Sequence, residues 1–405
     1  MKIMMAYFEK FVRVSGGIEH MLSKLANELV RRGHQVDIVY CYGESGECFY
    51  PLDGSIKLHN LMAIHLEKWK DPRLSQCISG TTKLIREVIR AFNPGKGRDY
   101  NEAAKGKLIA GEIRQVMDEI KPDVIISLRY ETSNYLINSA KVTVPVITRS
   151  FLDPAVMLKN APKGEITALQ KSVVVHVLQK QDIPVVKKLC PGANVVWIPN
   201  PVPQYDKQAD LARNKKKYTI INVARLNKAQ KRQHLIVQAF AKLAKDYPEW
   251  QVELWGGEND PRHGYGSELQ NLIDTAGLSN QVYLRGETHE VLEKELNADI
   301  FCFPSAYEGF PNALAEAMSA GLPPIICKSC PSAGALVKND VNGIVCDDSI
   351  DGIASALKIL MDSEALRIRL GNQAKEEMKQ YRPQIVFDMW ENTIKYAAEQ
   401  GYKNE

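Results

Sequence analysis

Glu308 and Glu316 are two carboxylates at a fixed spacing around a helix start. The run Ser305-Ala-Tyr-Glu-Gly-Phe-Pro-Asn-Ala-Leu-Ala-Glu316 follows the strand-like Asp299-Ile-Phe-Cys-Phe303 and passes into a helical pattern. Pro311 suits a first helical turn because its missing N–H would be an orphan there, so the helix is expected to open between Gly309 and Asn312. Free N–H groups at such a turn, just past the C-terminal end of a parallel strand, can grip an anion. A carboxylate beside them must serve another part of the ligand, and a ring of hydroxyls is what a carboxylate accepts from. Glu308 before the turn and Glu316 about one turn inside it would flank one anion site. A nucleoside diphosphate sugar has that layout of sugar, diphosphate and ribose.

Breaking a bond to a diphosphate builds negative charge on the leaving group, so cations must face it. Arg225 follows the strand-like Thr219-Ile-Ile-Asn-Val-Ala224, and Lys231 lies just before the helical Gln233-His-Leu-Ile-Val-Gln-Ala-Phe240. An Arg holds phosphate bidentately and a Lys supplies a mobile point charge. Lys228 and Arg232 are close enough in sequence for either to stand in for Lys231. Gly16-Gly17, ahead of the helical Ile18 to Arg31, either lets backbone approach a ligand closely or makes an ordinary strand-to-helix turn. No Asp-x-Asp stands where a metal would need it. Asp347-Asp348 reads as a capping or solvated pair, and Cys327-Lys-Ser-Cys330 has no second cysteine pair and no nearby histidine. Transfer without a metal is therefore expected.

The elements that must position these groups follow from patterning. A chain of 405 residues suits two domains rather than one core. Short β-branched runs alternate with helical stretches through both halves, from Val36-Asp-Ile-Val-Tyr40 to Pro324-Ile-Ile-Cys327. Continuous apolar strands between amphipathic helices mean parallel sheets covered on both faces, so the fold class is α/β with two doubly wound domains. The proline-rich Asn200-Pro-Val-Pro-Gln-Tyr-Asp-Lys-Gln-Ala209 is the natural boundary. Residues 1–202 form the expected first domain and 203–385 the second. The region from about 62 to 107 is less regular, with Asn93-Pro-Gly-Lys-Gly-Arg98 as an evident loop.

No stretch approaches the eighteen or so apolar residues of a membrane span, and Lys2-Ile-Met-Met-Ala-Tyr-Phe8 reads as a first buried strand rather than a signal peptide. Eight scattered cysteines fit a reducing, cytoplasmic setting. Residues 1–200 carry 28 basic against 20 acidic side chains, and residues 201–405 carry 24 against 28. A basic first half suits an anionic acceptor or the headgroups of an anionic membrane. Lys83, Arg86 and Arg90 share one helical face in Lys83-Leu-Ile-Arg-Glu-Val-Ile-Arg90, while Leu84, Ile85, Val88 and Ile89 supply apolar surface. An ordinary surface helix is the other reading. The basic, aromatic-laced surface of a nucleic-acid binder is absent, and so is the Gly-x-Gly-x-x-Gly of a dinucleotide enzyme.

Glu308-Gly-Phe-Pro-Asn-Ala-Leu-Ala-Glu316 resembles the Glu-x7-Glu signature of retaining glycosyltransferases of the GT-B fold, family 4 (group 1) in particular. Other stretches fall in that family's order: Ser15-Gly-Gly17, Ile198-Pro-Asn-Pro201, Val223-Ala-Arg-Leu226 with Lys231, Trp255-Gly-Gly257, Val282-Tyr-Leu-Arg-Gly286 and Asn342-Gly343. The likeness spans nearly the whole chain and is tighter after about residue 195.

The resemblance implies two Rossmann-like domains facing across a cleft, the first binding the acceptor and the second the nucleotide-sugar donor, with a last helix near 386–405 packing back on the first. It makes Arg225, Lys231 and Glu308 the catalytic set. Gly16, Gly17, Arg285, Gly309, Phe310, Pro311, Asn312, Leu314 and Glu316 join Arg225 and Lys231 around the donor. The nucleoside diphosphate sugar is a substrate and no cofactor is implied. A hexosyl or N-acetylhexosaminyl group would pass, from a UDP-sugar in preference to a GDP-sugar, to a carbohydrate, lipid-linked or protein-linked acceptor. Configuration would be retained by a front-face route, because Glu308 alone is not the carboxylate pair that double displacement needs. An idle sugar-nucleotide-binding subunit of a larger complex is the rival reading.

The chain departs from the family pattern in places. Where many members carry a histidine after Pro145-Val-Ile-Thr148, this chain reads Arg149-Ser-Phe-Leu-Asp-Pro154, so Arg149 or Asp153 takes that space on the acceptor side. His20 beside Gly17 either joins them or lies on the helix surface. Ala335 and Ala224 replace a common Glu and a common Gly.

Overall fold

The computed structural model describes residues 1–14, 16–62, 78–151, 153–158, 161–258 and 264–401. Ser15 of the Ser-Gly-Gly run and residues 63–77 of the stretch read as irregular lie outside the described residues. The chain divides into two compact units, Met1–Pro199 with Val386–Glu405, and Asn200–Ile385.

The first unit is built on seven strands: β1 Lys2–Tyr7, β2 Gln35–Tyr40, β3 Lys57–Asn60, β4 Val124–Ser127, β5 Val146–Arg149, β6 Val174–Val177 and β7 Val195–Trp197. They lie in the order β3-β2-β1-β4-β5-β6-β7, and every pairing is parallel. Alternate residues of β1 go to opposite layers. Ile3, Met5 and Tyr7 join one core cluster with Leu22 and Leu25 of helix α1 (Gly17–Arg31), while Met4, Ala6 and Phe8 join another with Ile109 and Ile113. Both faces are buried, which is why the strand is apolar without alternation. From the last helix, Pro383–Gln400, the side chains of Val386, Trp390, Ile394 and Ala397 enter the α1 layer.

The second unit carries β8 Tyr218–Val223, β9 Trp250–Trp255, β10 Val282–Gly286, β11 Ile300–Phe303, β12 Pro324–Cys327 and β13 Ile344–Cys346. Their order is β10-β9-β8-β11-β12-β13, again all parallel. Sheet order reverses direction at β1/β4 in the first unit and at β8/β11 in the second. In doubly wound sheets ligands bind beyond the carboxyl ends of the strands at such a switch point. Lys215, from the basic run after the linker, pairs with the buried Asp299 at 2.8 Å and fixes where β11 begins.

Two sequence expectations need correction. Asn93-Pro-Gly-Lys-Gly-Arg98 is no loop but the start of a long helix, α3 (Pro94–Ile120), which follows α2 (Gly80–Phe92) directly. The Asn93 side chain accepts from the Lys96 N–H at 3.0 Å and proline takes the first turn, so the residues that read as a breaker act as a cap. Residues 80–107, expected to be irregular, are therefore helical apart from Asn93. Asp347 is solvated, pairing with the exposed Lys328 at 2.7 Å, while Asp348 accepts from the Ser329 N–H at 3.0 Å and pairs with Arg232 at 2.7 Å.

Candidate active site at the switch point of the second sheet

Chain leaving β8 is held by its neighbours rather than by its own turn. Ala224 N–H donates to Trp255 O at 2.9 Å and Leu226 N–H to Gly257 O at 2.8 Å, while Gly256 N–H donates to Gly286 O at 2.7 Å. The loops after β8, β9 and β10 are thus laced together by backbone. A Cβ on Gly256 would meet Ala224 O at 2.0 Å, and its φ of +142° favours glycine, which accounts for the Trp-Gly-Gly run. The fully buried Gln233 donates to Arg225 O at 3.0 Å. Arg225 itself is exposed and forms no ion pair among the described residues.

The next turn sorts three cations. Asn227 O accepts from the N–H groups of Lys231 (2.9 Å) and Arg232 (3.0 Å), and Arg232 takes a positive φ of 54°. Lys228 turns outward to pair with Glu268. Arg232 donates to Pro304 O at 2.7 Å, pairs with Asp348 at 2.7 Å and reaches Ser329 Oγ at 2.9 Å. Those contacts tie it to the ends of β11, β12 and β13. Lys231 alone turns to Glu308, where its ammonium meets Oε1, and it lies 5.6 Å from the Phe303 ring centre. Gln230 holds the other side of that carboxylate, donating to Glu308 Oε2 at 3.3 Å and to Tyr307 O at 3.1 Å.

Beyond Glu308 the helix runs Asn312–Ser319, and Pro311 stands just before it rather than inside its first turn. Asn312 N–H bonds back to Phe310 O at 2.9 Å, which turns Pro311 out of helical geometry to ψ 74°. Ala315 N–H returns to Pro311 O at 3.0 Å, so the N–H groups of Ala313 and Leu314 have no partner among the described residues. Gly309 is buried, and the side chains of Phe310 and Leu314 lie in the core, the former edge-on to Tyr381 at 6.0 Å. Only backbone from Phe310 and Leu314 can therefore meet a ligand. Asn312 Oδ1 accepts from Asn200 at 3.1 Å, which ties down the Pro-Asn-Pro run. Glu316, half-buried, lies near two other ionisable groups: burial and its carboxylate push the Tyr205 hydroxyl up, and the same two causes push the fully buried Glu295 carboxyl well up. Arg285 is placed apart from these. It pairs with Glu253 at 2.7 Å and lies over the Tyr283 ring at 4.4 Å.

Gln230, Gln233 and Glu295 escaped sequence reading, since a glutamine in a turn and a glutamate on a helix carry no spacing signal. The two thiols of Cys327-Lys-Ser-Cys330 diverge, Cys327 opposite Cys346 across the strand pair and Cys330 3.5 Å from Ser332.

In the first unit, Gly16 caps α1 and Gly17 begins it. A Cβ on Gly16 would meet Glu19 Oε2 at 1.9 Å, because Glu19 folds back to accept from the Tyr7 hydroxyl at 2.9 Å. His20 stacks on Tyr50 at 4.5 Å, and burial, with Lys24 nearby, pushes its imidazole down to about 4. Arg149 is buried at the end of β5, 4.3 Å from the Phe151 ring and 5.1 Å from the Trp390 ring, and burial works against its charge. Asp153 accepts from Ala155 N–H at 2.8 Å and so starts the short helix Pro154–Leu158. His176, fully buried, bonds Ile198 O at 2.6 Å.

Two parallel α/β sheets of this order, each with its switch point, define the GT-B fold. Solved structures agree in fold: Anabaena HepE in complex with UDP and glucose matches with a TM-score of 0.69 at 16% identity, covering 98% of this chain and 99% of that one. Residues 204–377 match the family model described as glycosyl transferases group 1. Over 392 residues the chain is 22% identical to an uncharacterized glycosyltransferase of Haemophilus influenzae, covering 96% of this chain and 99% of that protein. It is 24% identical over 396 residues to the Campylobacter jejuni GalNAc-alpha-(1->4)-GalNAc-alpha-(1->3)-diNAcBac-PP-undecaprenol alpha-1,4-N-acetyl-D-galactosaminyltransferase, covering 95% and 96% of the two. The group 1 likeness falls within the second unit, and the chain is a glycosyltransferase.

Proposed function

We propose that this enzyme moves a hexosyl or N-acetylhexosaminyl group from a nucleoside diphosphate sugar, UDP before GDP, to a glycan or lipid-linked glycan, with retention and without a metal. The observation that carries the reading is the pairing of Lys231 with Glu308 directly ahead of a helix in which the N–H groups of Ala313 and Leu314 have no partner among the described residues. In this reading Glu308 accepts from donor-sugar hydroxyls and keeps the Lys231 ammonium in place. Lys231 and Arg225 hold the diphosphate, the N–H groups of Ala313 and Leu314 complete its site, and Glu316 accepts from the ribose. The leaving phosphate oxygen takes the acceptor's proton on the face where the new bond forms, so no second carboxylate is required.

The first unit is assigned to the acceptor and the second to the donor. No helix among the described residues is long and apolar enough to cross a membrane. We place the protein in the cytoplasm, in contact with the membrane that carries its acceptor.

A thermal-shift panel of UDP, GDP, ADP and CMP with their sugars, on wild type and Glu316→Ala, tests the donor half. A ligand at about a hundred times its Kd stabilises by about 2.7 kcal/mol. UDP and a UDP-sugar are expected to raise Tm in wild type and much less in the variant. If no nucleotide does so, the donor site assignment fails and an idle subunit becomes the better account.

A further inference from the structure

Helix α2 presents a large apolar side to solvent. Its basic side lies against α3, where Arg86 Nη1 donates to Asn101 Oδ1 at 3.3 Å and a Cβ on Gly97 would come within 2.8 Å of the Arg90 Cβ. Its opposite face shows solvent Leu84 (68% exposed), Ile85 (46%), Val88 (54%) and Phe92 (89%). Positions 84, 88 and 92 stack one turn apart with 85 beside them, so these large side chains form one continuous stripe. No residue of α2 is buried, but the helix sets Arg86 and Arg90 beside α3 and leaves four large apolar side chains to solvent, which water alone gives no reason for.

A groove of about 460 Å³ runs beside that stripe between α2 and α3, lined by Arg86, Arg90, Gly97, Arg98 and Asn101. Glu87 pairs with Arg86 at 2.6 Å and more loosely with Arg90 at 3.8 Å. Arg98 forms no salt bridge among the described residues. Three guanidinium groups against one carboxylate leave an excess of positive charge in the form best suited to phosphate oxygens.

Arg98 also borders a second cavity, of about 390 Å³, at the carboxyl ends of β1, β2 and β4, which is the switch point of the first sheet. Its charges nearly balance. Glu9, Glu102, Glu131 and Glu165 face Arg98, Lys105 and Arg129, with Lys105–Glu102 at 2.8 Å and Arg129–Glu131 at 3.3 Å. Phe8 and Tyr135 stack along one wall. Glu165 is only 5% exposed, lines the cavity, and has no hydrogen bond to its carboxyl among the described residues. Burial, then Glu131 and Glu102, push that carboxyl up to about 8, so at neutral pH it both donates and accepts. Paired donors and acceptors beside an aromatic wall suit a hydroxyl-rich, uncharged ring.

From these adjoining features we infer that the acceptor is a sugar carried on a membrane-held lipid phosphate or diphosphate: the sugar in the glutamate-lined cavity, the phosphate in the Arg86, Arg90 and Arg98 groove, and the α2 stripe in the bilayer holding the lipid. The order of cavity, cationic groove and apolar stripe along α2 and α3 matches the order of sugar, phosphate and hydrocarbon in such a molecule. This rests on the glycosyltransferase reading and narrows its acceptor to one class.

The test is flotation of the full-length protein with vesicles of phosphatidylcholine alone, with phosphatidylglycerol, and with polyprenyl diphosphate, alongside thermal shifts with inorganic pyrophosphate and with UDP. Wild type is expected to float best with polyprenyl diphosphate vesicles. Leu84→Ser with Phe92→Ser should abolish flotation on every vesicle. Arg90→Glu with Arg98→Glu should lower retention by polyprenyl diphosphate about tenfold or more relative to wild type. Glu165→Leu should reduce transfer to a lipid-linked sugar with unchanged flotation. Flotation that ignores the diphosphate, or a pyrophosphate shift that, with the donor site saturated by UDP, is as large in the arginine variant as in wild type, overturns the phosphate groove. No flotation at all, with a normal UDP shift, overturns the inference alone and marks the stripe as a protein contact. Loss of the UDP shift in wild type would instead remove the reading on which it rests.

Discussion

Lys231 and Glu308 are 77 residues apart in sequence, yet the ammonium of one meets the carboxylate of the other. Each belongs to a loop at the carboxyl end of a different strand, β8 and β11, and these strands are neighbours where the sheet order reverses. Both side chains are largely buried, at 14% and 11% exposure, so the pair feels little screening and neither partner can be removed without exposing the other's charge to a poor environment. Lys231→Ala is expected to lower kcat/KM about a hundred- to a thousandfold, the usual loss when a leaving-group cation is removed. Steady-state kinetics with a UDP-sugar measure it, and equal activity in the variant would discard the assignment.

Gln230 offers a finer probe of the same pair. Gln230→Ala leaves the Lys231 contact intact but frees Glu308 Oε2 and Tyr307 O of their donor. The expected result is a fall in kcat of about tenfold with KM for the nucleotide sugar little changed, in line with the loss of one hydrogen bond to a charged group. A change confined to KM would argue against a positioning role.

Gly256 tests the lacing of the three loops. Its Cβ would stand 2.0 Å from Ala224 O at a φ of +142°, whereas Gly264, at φ +66°, has nothing within 4 Å. Gly264→Ala should cost about 1 kcal/mol of backbone strain alone. Gly256→Ala should cost about 2–4 kcal/mol and displace the Arg225 loop. Urea unfolding of the two variants separates strain from collision.

Arg232 has three acceptors in different directions, Pro304 O, Asp348 and Ser329. A lysine has one compact charge and cannot serve them together. Arg232→Lys is therefore expected to lower stability by about 1–3 kcal/mol, close to the loss in Arg232→Met. Chemical denaturation of both compares the two losses.

Buried carboxyls set a pH dependence with a definite sign. A carboxyl raised above its unfolded value contributes stability that is complete below that value and is lost as pH rises through the folded one. Glu165 is raised from 4.5 to about 8, so its window runs between those values, and Glu295 is shifted the same way by burial and Glu316. Replacing either by glutamine should raise Tm at about pH 9 by several degrees and leave it nearly unchanged at about pH 4. A scan of Tm against pH for wild type and both variants decides it.

The sequence by itself determined the parallel α/β architecture, because strands buried on both faces must be continuously apolar and the helices between them amphipathic. It also determined where the second sheet turns into a helix, with Glu308 before its start and Glu316 within it, since a proline and a strand end mark that place locally. Tertiary structure decided which of Lys228, Lys231 and Arg232 meets Glu308, because the choice depends on a positive φ at Arg232 and on acceptors from β11, β12 and β13 that lie 72 to 116 residues away. Gln230 and Gln233 acquire their roles the same way, through backbone oxygens and a carboxylate that no spacing reveals. Asn93-Pro-Gly reads as a break in one dimension and becomes a cap only when Asn93 closes on the Lys96 N–H. The amphipathic pattern of α2 was legible, but not which face looks outward. Packing on α3 settles that, since only a glycine at 97 lets the two helices approach on the charged side.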